Sequence, residues 1–160
     1  MQQVPEKIKD RLPDNLMFLG YRGSQAHGTH TSLTDDIDLM GVFVASREHY
    51  LGFGRQEVLE SFPDEYDIVN YELRKFVSLL LKNNPNVLSM LWLEDESTFV
   101  AEEPWKLLRA NRDIFTSKLA YHSFVGYAHG QLKKNDRLRL EETGRTWRTS
   151  KSNDGPWHHV

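Results

Sequence analysis

Two carboxylates, Asp36 and Asp38, follow a Gly23-Ser24 dipeptide, with twelve positions from Ser24 to Asp36. The chemistry this pattern suits is phosphoryl transfer with a divalent metal. Gly23 lets the backbone come close to an anion, and Ser24 offers a hydroxyl and an amide N–H to phosphate oxygens. A pair of carboxylates supplies the hard oxygen ligands that magnesium prefers. Arg22 stands immediately before the turn, where a guanidinium could meet phosphate. Each part alone is weak, because Gly-Ser turns are common and acids often cap strand ends. No Gly-Lys-Ser/Thr follows the turn and no three-glycine fingerprint is present, so neither a P-loop nor a Rossmann site is indicated.

The carboxylates need a strand to aim them. The run 36–45, DIDLMGVFVA, alternates so that Asp36, Asp38, Met40, Val42 and Val44 share one face. Two like charges on one face of an apolar strand repel unless a cation lies between them. Asp35 falls on the other face or in the loop and is not expected to be a ligand. His27 and His30 flank the loop and read as solvated. An apolar run at 16–21, LMFLGY, predicts the preceding strand, and Ser24 is expected to cap a short helix over 24–27.

Further along, 67–71 predicts a third strand that passes directly into a helix over 72–81, with Leu73, Phe76, Val77 and Leu80 on one face. Asn84-Pro85 marks a turn into another helix ending near Leu93, and Pro104 opens one through Arg112. A longer helix is expected over 117–134, preceded by an opening helix at 4–12. Residues 46–65 read as a variable connection. Trp92, Trp105, Phe115 and Phe124 read as core, while Arg74 and Lys75 could reach a triphosphate or form ion pairs.

Composition bounds the class. The chain has 160 residues, 39% of them apolar and 27% charged, which suits one soluble globular domain with a small helical extension. It has no cysteine, which excludes disulfides and thiolate metal sites. No run approaches a membrane span and the charged N-terminus does not resemble a signal peptide, so a cytoplasmic protein without membrane contact is expected. The net charge of −3 provides no global attraction to nucleic acid. The expected organisation is a core over 1–81, a helical extension over 82–140, and a polar tail, or incomplete fragment, over 141–160.

Three ordered motifs carry a family resemblance: GSQAHGTHTSLTDDIDLMGVF at 23–43, ELRKFVSLLLKNNPNVLSMLW at 72–92 and FVGYAHGQLKK at 124–134. The first resembles the signature of the DNA polymerase β-like nucleotidyltransferases, and all three resemble a bacterial and phage branch of them. The resemblance covers most of 16–134. It implies an α/β fold of the α+β kind, with a short mixed sheet flanked by helices and a C-terminal helical extension. It also implies two Mg²⁺ ions, with Mn²⁺ as an alternative, and transfer of NMP from an NTP to a hydroxyl acceptor. Asp36 and Asp38 match the metal-binding carboxylates, and Gly23 and Ser24 match the turn that holds the triphosphate.

The family's third carboxylate lies on a later strand. Asp67 is the candidate, with Asp64, Glu65 and Glu72 as competitors, and Glu72 is better suited to capping its helix. The acceptor stays open among an RNA 3′ end, a protein side chain and a small molecule. Relatives of this branch run longer at the C-terminus, so a shortened acceptor-binding part is expected. Two alternatives remain: a non-catalytic NTP-binding regulator, and a nucleotidyltransferase of the toxin–antitoxin kind acting on a partner protein.

Overall fold

A computed structural model describes residues 2–26, 37–52 and 57–142. Five strands, β1 (Leu16–Tyr21), β2 (Ile37–Phe43), β3 (Val58–Ser61), β4 (Tyr66–Glu72) and β5 (Thr98–Ala101), form one sheet in the order β3-β4-β2-β1-β5. Only β2 and β4 are parallel neighbours, and the other pairs are antiparallel, so the sheet is mixed as expected. A parallel pair needs a crossover. Here it is the stretch read as a variable connection, which contains α3 (Arg47–Leu51) and the edge strand β3.

The remaining helices are α1 (Glu6–Lys9), α2 (Gly23–Ala26), α4 (Leu73–Leu81), α5 (Pro85–Ser89), α6 (Glu103–Ala110) and α7 (Lys118–Glu142). Several expected bounds move. The opening helix shortens from 4–12 to Glu6–Lys9, α6 ends at Ala110 and not Arg112, and β2 ends at Phe43 and not at 45. α2 begins at Gly23, so Ser24 lies within the helix and does not cap it. The helix after Pro85 tightens into a 3₁₀ turn at Met90–Trp92, and α7 continues past the expected end at Lys134 to Glu142. The chain divides into two compact units, Met1–Phe124 and Val125–Val160. In the second unit the described residues belong to the rest of α7, along which Val125, Tyr127 and Leu132 are exposed.

Strand alternation divides the first unit's core between the two sheet faces. Phe18, Met40 and Val42 pack with Phe76 and Leu80 of α4, Val87 and Leu88 of α5, and Trp105 of α6. The Trp105 indole stacks on Phe18 at 3.7 Å between ring centroids, adding aromatic attraction to the area buried. On the opposite face Leu19, Leu39, Ile68 and Phe99 close against Ile8 of α1. Between α4 and α5, Asn83 takes φ 51° and is buried. Its amide donates to the carbonyls of Leu80 and Phe115 and accepts from Ser117, so one side chain ties the turn to the start of α7. Asn84 then caps α5 through Asn86 N–H and Val87 N–H, the structural role its sequence indicates.

Candidate functional site

The parallel pairing of β2 with β4 places Asp38 directly opposite Asp67. Residues opposite each other in register point to the same face, so both carboxylates stand on the face that also carries Met40 and Val69. Each is about one-third exposed, at 33% of its side-chain surface. Asp36, a metal ligand by expectation, lies outside the described residues, as do His27, His30 and the Ser24 side chain.

The competitors for the third carboxylate are committed elsewhere. Asp64 occupies the β3–β4 turn with φ 50°. Glu65 pairs with Lys7 at 3.3 Å, and its own backbone N–H holds the carboxyl below the usual range. Glu72 is 2% exposed and caps α4, accepting from the N–H groups of Arg74 and Lys75 and from the Tyr50 hydroxyl. Asp67 alone of the four stands opposite Asp38 in the β2–β4 ladder.

Gly23 closes the other side. Its φ of +62° is left-handed, where a side chain is strained, and a Cβ there would meet Asp38 Oδ2 at 2.8 Å. Both reasons require glycine at this position. The turn is tied to the strand by two bonds: Arg22 N–H donates to the Asp38 carbonyl at 2.9 Å, and Asp38 N–H donates to Gln25 Oε1 at 2.9 Å. The glycine turn and the carboxylate therefore move together.

Arg22 reaches across this space. Its Nη2 lies 2.5 Å from Asp67 Oδ2 and 3.3 Å from Asp38 Oδ1. Sequence reasoning placed Arg22 beside the turn but not between two carboxylates, because that bridge depends on the β2–β4 register. The match is incomplete: Arg22 Nε and Asp67 Oδ1 are both buried and have no hydrogen-bond partner among the described residues. Such an oxygen has an unmet demand for a donor or a cation. That oxygen and the facing Asp38 carboxylate suit a divalent ion. Among the described residues no group of three or more acids or histidines gathers, so a full set would need a ligand beyond them.

A cavity of about 780 Å³ opens beside α2 in the first unit. Gln25, Ala26, Leu88, Trp92, Glu94 and Phe124 are among its lining residues. Trp92 and Phe124, expected in the core, are instead 42% exposed, and Trp92 carries the Arg112 guanidinium 5.2 Å from its ring centroid. Trp105 and Phe115 are buried as expected. Helical spacing cannot separate a core position from a cavity wall, which explains the difference. Arg74 lies over the Tyr50 ring at 4.4 Å and Lys75 pairs with Glu57 at 2.8 Å.

No helix among the described residues is long and apolar enough to cross a membrane. No curated protein matches the chain. A family model described as RlaP, RNA repair pathway DNA polymerase beta family, matches residues 2–147. Its span takes in the glycine turn, both facing carboxylates and the whole sheet, and on that extent the chain belongs to the RNA repair pathway DNA polymerase beta family.

Proposed function

We propose that this chain is a metal-dependent nucleotidyltransferase that moves an NMP group from an NTP to a hydroxyl of RNA. The observation that carries the reading is the facing of Asp38 and Asp67 across parallel strands, with Gly23 packed against Asp38. The description of the family favours RNA over a protein or small-molecule acceptor.

In this reading Asp38 and Asp67, joined by Asp36, hold Mg²⁺ or Mn²⁺. Bound there, the metal supplies positive charge against the triphosphate and lowers the pKa of the attacking hydroxyl. Gly23 packs the turn against Asp38, and the turn's backbone amides, that of Ser24 among them, would hold the donor's phosphates. The cavity beside Gln25 has the size and the aromatic wall for a nucleoside. Attack of the acceptor oxygen on the α-phosphorus forms one P–O bond as the bond to pyrophosphate breaks. The chain contributes position and electrostatics to that displacement.

The test is label transfer from each α-³²P NTP to RNA in Mg²⁺ or Mn²⁺, with D38N and D67N as controls. Labelled RNA with the unmutated protein alone supports the reading. Transfer that survives both substitutions, or NTP binding with no acceptor labelled from RNA or cell extract, contradicts it.

A further inference from the structure

Arg22 occupies the space that a cation shared by Asp38 and Asp67 would need. One nitrogen, Nη2, approaches both carboxylates, at 3.3 Å and 2.5 Å. Magnesium binds oxygen at about 2.0–2.1 Å and keeps near-octahedral geometry, so it cannot share that space with a guanidinium. We propose that Arg22 is a stand-in cation for the site, which holds the two carboxylates until a divalent metal displaces it. This inference rests on the metal-dependent reading given above.

Three features support an exchange over a permanent ion pair. An arginine fixed for structure alone favours a two-pronged contact with one carboxylate. Here a single nitrogen serves two carboxylates, while Nε and Asp67 Oδ1 are buried without partners among the described residues. The resting arrangement is thus incomplete on both sides. A metal would satisfy the orphaned oxygen, and the released guanidinium would regain its full set of donors.

The backbone also permits the change. Arg22 N–H is bonded to the Asp38 carbonyl, so the main chain stays in place while the side chain swings on its flexible stem. Its side chain is 26% exposed, so it already borders solvent on one side. Arg22 precedes Gly23, whose missing Cβ makes room for the Asp38 carboxylate in the turn assigned to the triphosphate. A guanidinium leaving the carboxylates is therefore beside the anion it would next meet. Arg22 acts here as a positioning residue, which offsets one of the two negative charges without metal and couples metal binding to phosphate binding.

The test measures Mn²⁺ binding without nucleotide, by the loss of the free-ion EPR signal, for the unmutated protein, R22Q, R22M and D67N. Thermal melts in EDTA and in Mn²⁺ accompany it. With the competing cation gone, folded R22Q and R22M should bind Mn²⁺ about tenfold more tightly, a size typical of groups just outside a metal's ligands. They should also melt lower in EDTA and regain more on adding Mn²⁺. Equal or weaker Mn²⁺ binding by either folded variant overturns the proposal.

The unmutated protein gives a second measurement that needs no variant to fold. The side-chain Nε–H resonance of Arg22 should shift on saturation with Mg²⁺, and a resonance that stays in place overturns the proposal. The two levels of failure are distinct. If the unmutated protein binds Mn²⁺ through Asp67 but loss of Arg22 does not tighten binding, only the stand-in role is lost. If it binds no Mn²⁺, or D67N binds equally well, the metal reading falls too.

Discussion

Strand β4 carries an acid near each end, and the two stand in opposite conditions. Glu72 is buried, and its oxygens are met by the Tyr50 hydroxyl at 2.5 Å and by the N–H groups of Arg74 and Lys75. Asp67 is one-third exposed, faces a second carboxylate, shares one arginine nitrogen with it, and keeps Oδ1 unpartnered among the described residues. The first acid is completed by the protein's own donors. The second has capacity left over, and it stands beside another acid and the arginine that the two share. The difference separates a carboxylate that holds the fold from one available to a ligand, five positions apart on one strand.

The contrast implies that the two acids fail differently. D67N and D38N should lower nucleotidyl transfer at least about 10³-fold, since a lost charge ligand affects the transition state directly. Circular dichroism should show both variants folded. E72A should do the reverse, costing about 2–3 kcal/mol in urea denaturation by removing a helix cap and orphaning a hydroxyl. Its transfer rate, measured well below the melting temperature, should stay within about threefold of the unmutated value. Loss of stability in D67N with activity intact would invert the roles.

Gly23→Ala tests the side of the site that has no charge. It should cost about 1–2 kcal/mol through its left-handed φ and lower transfer tenfold or more, by about a further 1.4 kcal/mol, through displacement of Asp38. An alanine variant with unchanged kcat/KM would show that the close approach to Asp38 Oδ2 is not needed.

The smallest effect expected is on pH dependence at the structural acid. Burial first, and then the hydrogen bond to Glu72, push the Tyr50 phenol above its ordinary value of 10.0. Below that value the phenol is neutral in folded and unfolded chains alike, and its contribution to stability is fully present. Above it the unfolded chain ionises first, so stability should fall as pH rises from about 10 through the higher folded value. Y50F should remove this part of the alkaline decline while costing about 1 kcal/mol at neutral pH, as urea titrations at several pH values would show.

Periodicity made the centre of the fold legible in the sequence. β1, β2, β4 and α4 each present a run long enough to reveal its period, and Asp38 with Met40 and Val42 fell on one face as alternation required. β3 and β5 did not show because each has four residues and gains its identity from a neighbour: Val58–Ser61 from β4, Thr98–Ala101 from β1. Asp67 could be named as a strand acid, but its position opposite Asp38 is a register, which no local pattern specifies. Arg22 as a bridge was hidden for the same reason, and Trp92 as a cavity wall because helical spacing does not separate a core position from a cavity wall. Buried Asn70 has no sequence signal either: its amide lacks a partner among the described residues and fits only because a Cβ at Gly41 would overlap its oxygen.

The central claim is that Asp38 and Asp67 together hold a divalent metal. Crystals soaked in Mn²⁺ with a non-hydrolysable NTP, measured for anomalous scattering, address it most directly. A manganese peak within ligand distance of both carboxylates, with the triphosphate beside Gly23, is the predicted result. Manganese absent from these two residues, with Arg22 still bridging them while nucleotide is bound, would contradict it.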